Sequence, residues 1–249
     1  MPALLDHLLA HPYLSECIVV DGGSTDRTAE IVEQSDDPRV QLVRSRRGRG
    51  AQMNAGARQA TGDLLVFHHA DTRLEDGALA ALTIAARNPS VIWGGFLHRF
   101  SNANWKLRFI SALHNFRFRQ TGVVYGDQSM FVRRSFFAKI GGFSEQPLED
   151  MVFSDQALEL AKPHRMDKFV TTDSRKFVQM GELKGLAEVL RIILRYQFNR
   201  SFASEAFSPP IARPPRPQAH LKLKITDPIK SKVGRICCIR TVRSGEKER

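Results

Sequence analysis

Along the first 140 residues, short apolar runs alternate with stretches whose apolar residues recur at helical spacing. That alternation predicts parallel strands joined by crossover helices, an α/β fold. The pattern places helices over 2–11, 25–35, 51–60, 76–87 and 103–119, and strands over 16–21 (ECIVVD), 40–44, 63–69 (DLLVFHH) and 91–98. Ile18-Val19-Val20 and Leu64-Leu65-Val66-Phe67 are apolar without alternation, which predicts central strands covered on both faces.

After Gly122 the pattern becomes mixed: a strand over 129–133, a short helix over 134–140, a loop through Gly141-Gly142 and a helix over 150–161. A last helix over 183–202 sets Leu186, Val189, Leu190, Ile193 and Tyr196 at helical spacing, with Arg191, Arg195 and Arg200 between them. It reads as a helix packed on the core with a solvated basic face, or as one lying on a membrane surface. Past Ser208 come five prolines in nine residues (PPIARPPRP), and Lys222 to Arg249 shows no core-forming pattern. The expected organisation is thus a domain over 1–203, then a Pro-rich linker and a disordered basic tail over 204–249.

Charge changes this picture little. The formal net charge is +11, but residues 204–249 hold 11 Lys+Arg against 4 Asp+Glu, so the basicity is mostly a property of the tail. A 42% hydrophobic and 25% charged composition excludes disorder throughout. No apolar run approaches the roughly 20 residues that span a bilayer, and the start lacks the pattern of a secretory signal. Three cysteines, two of them adjacent, offer neither a disulfide framework nor metal spacing. The expectation is a cytoplasmic protein in a reducing compartment.

In an open parallel sheet, ligands bind beyond the carboxyl ends of the strands. Two such ends carry chemistry. In VVDGGSTDRT the strand ends at Asp21, followed by Gly22 and Gly23, with Ser24 or Thr25 placed to cap a helix; a plain strand-to-helix turn explains the same residues. In LLVFHHADT, His69 and Asp71 can approach one divalent cation, an imidazole and a hard oxygen suited to Mn²⁺ or Mg²⁺, although a capping aspartate is the commoner origin of such a residue. Between them, Arg44, Arg46, Arg47 and Arg49 crowd a glycine-rich helix start in RSRRGRGAQMNAGARQATGD, either a phosphate site or a solvated basic loop. Neither a Walker loop nor a dinucleotide fingerprint is present.

Taken in order, VVDGGSTDRT, GRGAQMNAGARQATGDLLVFHHADT, YGDQ (125–128) and IGGFSEQPLED (140–150) resemble glycosyltransferase family two, the inverting transferases with the GT-A fold. The resemblance spans about residues 3–200 and implies a mostly parallel sheet flanked by helices, with a C-terminal helix. It implies that Asp21 contacts the nucleotide base, with Gly22, Ser24, Arg47, Arg49 and Asn54 around the nucleotide. The family's metal motif falls on His69-Ala70-Asp71, implying Mn²⁺ or Mg²⁺ on Asp71 and His69. Its catalytic base falls on the Glu149-Asp150 pair, with Asp150 as the base and Glu149 either orienting it or exchanging roles with it. The resemblance further implies Asp127 and Gln128 on sugar hydroxyls and Glu145 on the acceptor, although a turn aspartate and a solvated glutamate explain Asp127 and Glu145 equally well.

The implied activity moves a sugar from a nucleotide-diphosphate donor to an acceptor hydroxyl, with inversion. A lipid-linked or envelope acceptor is expected, with peripheral contact at the inner face of the membrane. Family members also open with a strand and a Pro-x-x-Asn-Glu-like turn, whereas this chain begins at the helix after them. The resemblance therefore predicts a gap between the family's second strand, here 16–21, and its fourth, here 63–69, with unpaired backbone groups. Three readings compete: a noncatalytic or degenerate family member that binds nucleotide or an acidic partner, a nucleotidyltransferase of related fold, and, ranked last, an RNA-binding protein driven by the basic tail.

Overall fold

The computed structural model describes residues 2–102, 104–180, 187 and 236–242. The chain forms two units, one of Met1–Ser174 with Val233–Arg249 and the other of Arg175–Lys232. In the second, a helix over Arg175–Met180 is described; the helix expected over 183–202, with its basic residues, lies outside the described residues apart from position 187.

The first unit opens with α1 (Pro2–Leu9), β1 (Leu14–Asp21), α2 (Thr28–Glu33), β2 (Val40–Arg44) and α3 (Arg49–Gln59). It continues with β3 (Leu64–His69), β4 (Thr72–Leu74), α4 (Ala78–Ala85), β5 (Trp93–Phe100) and α5 (Trp105–Thr121). A 3-10 turn over Gly126–Gln128 leads to β6 (Phe131–Arg133), α6 (Arg134–Ile140), α7 (Glu149–Leu158) and β7 (His164–Thr172). The α/β expectation holds element by element as far as α7. The strands β4 and β7 were not expected: β4 is too short for a period, and the charged residues of HRMDKFVTT interrupt any apolar run.

All strands join one sheet in the order β2-β1-β8-β3-β6-β5-β7-β4, where β8 is Ile236–Val242. This corrects the expectation of a tail without core structure. Strand β8 lies in the predicted gap, parallel to both neighbours, with Ile239 opposite Ile18 on one side and Phe67 on the other. The peptide groups of β1 and β3 that would otherwise face each other unpaired meet this strand instead. A seven-residue strand so far from the rest of the sheet in sequence leaves no periodic signal, because a central strand needs only apolar or β-branched residues in a short run.

Pleating sends successive side chains of the central strands to opposite faces. Cys17, Val19, Leu64 and Val66 enter a core with α1 and α4, while Ile18, Val20, Leu65 and Phe67 enter a second core with α3, α6 and α7. Burial on both faces is why neither strand alternates in sequence. The helix α5 is fixed at its start by Asn104, whose side chain accepts from the amides of Lys106 and Leu107, and at its end by Gly122 in a left-handed conformation. Asn115 on α5 exchanges two hydrogen bonds with the backbone of His98 on β5, at 2.8 and 2.9 Å, and so locks helix to strand.

Because β1, β8 and β3 run parallel, Asp21 and His69 end at the same edge, with Thr241 and Val242 between them. Two interstrand spacings put them ~10 Å apart. The site grows from this edge.

Ile239→Pro tests the central placement of β8. In a strand paired on both sides, proline removes a ladder bond and clashes, so the substitution should cost about 3 kcal/mol or more. Urea unfolding reads it, and an unchanged midpoint would place 236–242 outside the sheet.

Candidate active site

Local chemistry shapes the first loop. Asp21 is buried and its Oδ1 accepts from the Ser24 amide at 2.9 Å and from the Ser24 hydroxyl. Ser24 therefore turns back to the strand instead of capping the helix. Asp26 accepts from the Thr28 amide at 2.9 Å, and α2 starts there, three residues later than the sequence pattern suggests. Gln52 of α3 donates to the Val20 carbonyl at 3.3 Å and covers Gly22.

The turn into α3 brings the arginines to distinct places. Arg47 is exposed. Arg46 pairs with Glu145 in the loop after β6 and α6, the residue expected to hold the acceptor. Gly50 lies against the same loop so closely that a Cβ would stand 2.0 Å from the Ser144 carbonyl oxygen, so only glycine fits. Asn54 accepts from the Phe143 amide at 2.9 Å and donates to its carbonyl at 2.8 Å. Its amide thus braces the Gly-Gly-Phe loop.

Arg49 is the hub. Its Nε lies 2.8 Å from Glu149 Oε1, close as an ion pair but off the line of a good hydrogen bond, and its Nη2 lies 2.8 Å from His69 Nε2 and 3.8 Å from Asp150 Oδ2. Asp150 Oδ2 accepts from the Gly126 amide at 2.7 Å, and Oδ1 from the Met151 amide at 2.9 Å. Glu149 and Asp150 are buried at the first turn of α7, where the helix dipole favours carboxylates. Gly126 is hemmed in: a Cβ there would meet His69 Nε2 at 2.3 Å and Arg49 Nη2 at 2.4 Å. The structure therefore gathers Arg49, His69, Glu149 and Asp150 around one glycine, from segments far apart in sequence.

Two non-glycine residues with left-handed backbones bracket this cluster, Leu148 (φ 67°) immediately before Glu149 and Ser129 (φ 47°) after Gln128. Such conformations cost of order 1–3 kcal/mol each and persist where surrounding contacts impose them. Beside the cluster, His68 is fully enclosed, with Nε2 donating to the Thr72 carbonyl at 3.0 Å and Nδ1 accepting from the Ser129 hydroxyl at 2.8 Å. Gln128 is also fully buried. Its Oε1 accepts from the Tyr125 amide at 3.0 Å and from Arg117 at 3.3 Å, and its Nε2 donates to the Phe96 carbonyl at 3.3 Å. That side chain holds the 3-10 turn and does not reach a sugar.

The residues implied for Mn²⁺ or Mg²⁺ fit a cation poorly. A guanidinium nitrogen already occupies the lone pair of His69 Nε2, and a cation drawn there would face the charge of Arg49. Asp71 is exposed at the β3–β4 turn. Among the described residues, the side chains able to share one ion are instead His98, His114 and Asp127, whose ligand atoms all lie within 4.8 Å of one another. His98 comes from β5, His114 from α5 and Asp127 from the 3-10 turn. The histidines were missed in the sequence because they stand sixteen positions apart in no metal-like spacing, and only the β5–α5 lock brings them together.

Burial holds both imidazoles below their ordinary value, His114 down to about 3, against the opposing pull of Asp127. Tyr125 stacks edge-on against His114 and lies under the Arg117 guanidinium at 3.5 Å. Burial pushes the Tyr125 hydroxyl above its usual range.

The family model described as "Glycosyl transferase family 2" matches residues 1–141. Among solved structures, the chain is similar to the crystal structure of S. aureus TarS 1–349, at 21% identity and a TM-score of 0.48, over 69% of this chain and 56% of that one. The chain thus spans little more than half of that protein's structure. No curated protein matches.

The lowered imidazole pKa values set a pH dependence. The unfolded chain takes up protons below about pH 6.5 that the folded chain refuses, so the stability contributed by these groups is present above that pH and lost as pH falls toward 3. In chelator-treated protein, the unfolding free energy should drop by about 1.4 kcal/mol per pH unit from His114 once below pH 6, with a further contribution of the same sign from His98. His114→Asn should remove one share of that slope. Urea unfolding at pH 7, 6 and 5 measures both, and equal slopes in the two proteins would contradict the buried, neutral histidine.

Proposed function

Because the chain belongs to glycosyl transferase family 2, we propose that it transfers a sugar from a nucleotide-diphosphate donor to an acceptor hydroxyl, with inversion at the anomeric carbon. The observation that carries the reading is Asp150, a carboxylate seated at a helix start, held by the Gly126 amide and placed beside Arg49 at the edge where β1 and β3 end. In the reaction, the acceptor oxygen bonds to the anomeric carbon while the bond from that carbon to the diphosphate oxygen breaks. Asp150 takes the hydroxyl proton, and the nucleoside diphosphate leaves with the bonding pair.

Positive charge for the departing diphosphate comes from the chain itself. Exposed Arg47, the start of α3 and Arg49 face negative charge as it develops, and such preorganised donors are worth most in a partly enclosed site. Asp21 and Gly22 border the base and ribose. Glu149 is a positioning residue, since it touches Arg49 and through it sets the distance to Asp150. No step is routed through a metal at His69 and Asp71.

An acceptor carried on a lipid suits one exposed feature. Along α5, Trp105, Phe109, Leu113 and Phe116 are exposed at helical spacing, with Arg108 and Arg119 exposed on the same helix. Aromatic and basic residues on one helix favour an anionic membrane surface, so the protein works at the inner face of the membrane on an envelope glycan. Among the described residues no helix is long and apolar enough to cross a membrane.

The test pairs binding with product analysis. UDP, GDP, dTDP and CDP are each added in thermal unfolding, and one should raise the midpoint. With the matching sugar nucleotide and a polyprenyl-phosphate sugar acceptor, product of inverted configuration should form, and Asp150→Asn should slow it by about 100- to 10,000-fold while leaving the nucleotide shift in place. Transfer that survives Asp150→Asn removes Asp150 as base. A nucleotide shift without transfer to any acceptor marks a noncatalytic binder, and no shift with any nucleotide removes the donor site.

A further inference from the structure

Beside the Arg49 cluster lies a second set of side chains that the proposed chemistry does not use. His98 is 1% exposed, and neither of its ring nitrogens has a hydrogen-bond partner; Asp127 Oδ1 and His114 Nδ1 also have none. Buried polar atoms of this kind are rare, and each calls for a cause such as an ion. The rings of His98 and His114 lie 4.8 Å apart, held from outside by Phe100 against the first and Tyr125 against the second.

The distances separate two explanations. If Asp127 simply accepted hydrogen bonds from the imidazoles, the nitrogens would stand 2.7–3.2 Å from its oxygens. They stand at 3.5 Å (His114 Nε2 to Oδ1) and 3.7 Å (His98 Nε2 to Oδ2). Ligands at zinc bond lengths of 2.0–2.1 Å in a tetrahedron are roughly 3.3–3.4 Å from one another; the two nitrogen–oxygen distances, each to a different carboxylate oxygen, approach that spacing, and with all three ligand atoms within 4.8 Å of one another the side chains need only draw slightly inward around an ion. Two imidazoles and one carboxylate also match the ligand preference of zinc and its first-row neighbours, and are softer than the all-oxygen set that Mg²⁺ or Ca²⁺ takes.

We propose that His98, His114 and Asp127 form a binding site for one zinc-class divalent ion, with three protein ligands and the fourth position open on the Asp127 side. That side chain keeps about a third of its surface exposed (36%), which gives the ion a way in, while both histidines are enclosed. The ion ties β5 and α5 to the 3-10 turn. Gly126, next to Asp127, donates to Asp150, so the ion fixes the amide that positions the carboxylate without touching it. The site is separate from the strand end at His69 and Asp71, and it stands or falls independently of glycosyl transfer.

Metal content decides it. The full-length chain, loaded with Zn²⁺ and dialysed against metal-free buffer, should keep about one zinc per chain by mass spectrometry, and Asp71→Asn should keep the same amount. His114→Gln and Asp127→Asn should each lose it, by at least about tenfold in affinity. Co²⁺ titrated into the unmutated chain supplies a readout that does not depend on the variants folding. Intense visible bands of a four-coordinate ion with nitrogen and oxygen ligands are expected, saturating at one equivalent and displaced by Zn²⁺. Pale six-coordinate bands, no spectral change, or metal retained by His114→Gln but lost from Asp71→Asn would overturn the site.

Discussion

A strand buried on both faces has nowhere but its neighbours to send its peptide groups, and everything at the site hangs on that demand. β1 and β3 carry Asp21 and His69 at their ends, and both are covered by helices above and below. Had these strands faced each other across an empty slot, each unpaired amide or carbonyl would have cost about 1–3 kcal/mol. Strand β8 removes that cost with a ladder on each side, parallel to both. It also fixes the spacing of the two strand ends that carry Asp21 and His69. A segment from the far end of the sequence thus sets the geometry of residues near its beginning.

At the His69 end, one guanidinium organises the rest. Arg49 meets His69, Glu149 and Asp150, and Gly126 is a glycine because a side chain there would collide with Arg49 and His69. Leu148, with its left-handed backbone, immediately precedes the buried Glu149-Asp150 pair, so the strained residue stands where the chain turns into α7. Asn54 and Gly50 clamp the preceding loop to α3, so Arg49 and Asp150 are held by one body of backbone.

Much of this was legible in the sequence, for physical reasons that also explain what was not. Nonalternating runs such as Val19-Val20 and Leu64-Leu65 announce central strands because two-sided burial is a local compositional demand. Arg49 could be picked out because it sits at a glycine-rich helix start, whereas Asp150 and Glu149 were legible only through the resemblance to the family's Glu-Asp pair after Gly-Gly-Phe. Asn54 and Gln128 could not be told from ligand contacts, since an amide facing backbone looks the same in sequence as one facing a sugar. His98 and His114 carried no signal at all: an imidazole on a strand and another on the following helix become neighbours only through the Asn115 lock. For β8 the loss was of another kind. Its short apolar run lies among the lysines and arginines of a basic segment after a proline-rich stretch, and its role is defined by a slot that other strands create.

Charge placement connects the two clusters. A cation is drawn to a site where negative charge exceeds positive charge and where the ligand lone pairs are unoccupied. At His69 the lone pair of Nε2 is taken by a guanidinium, and the two buried carboxylates nearby are engaged by the same arginine and, for Asp150, by backbone amides, which leaves few free lone pairs for a divalent ion. At His98 and His114 the difference lies in the ligand atoms, several of which have no hydrogen-bond partner. Burial keeps both imidazoles neutral near pH 7, their nitrogens point at a carboxylate too distant to bond, and the nearest guanidinium, Arg117, is turned to Tyr125 and to the Val123 carbonyl. The three-residue backbone of Gly126, Asp127 and Gln128 joins these environments. Through it, an ion bound at Asp127 and a carboxylate acting at Asp150 share one rigid turn, with the positive charge of Arg49 on one side and the electron pairs of two histidines on the other.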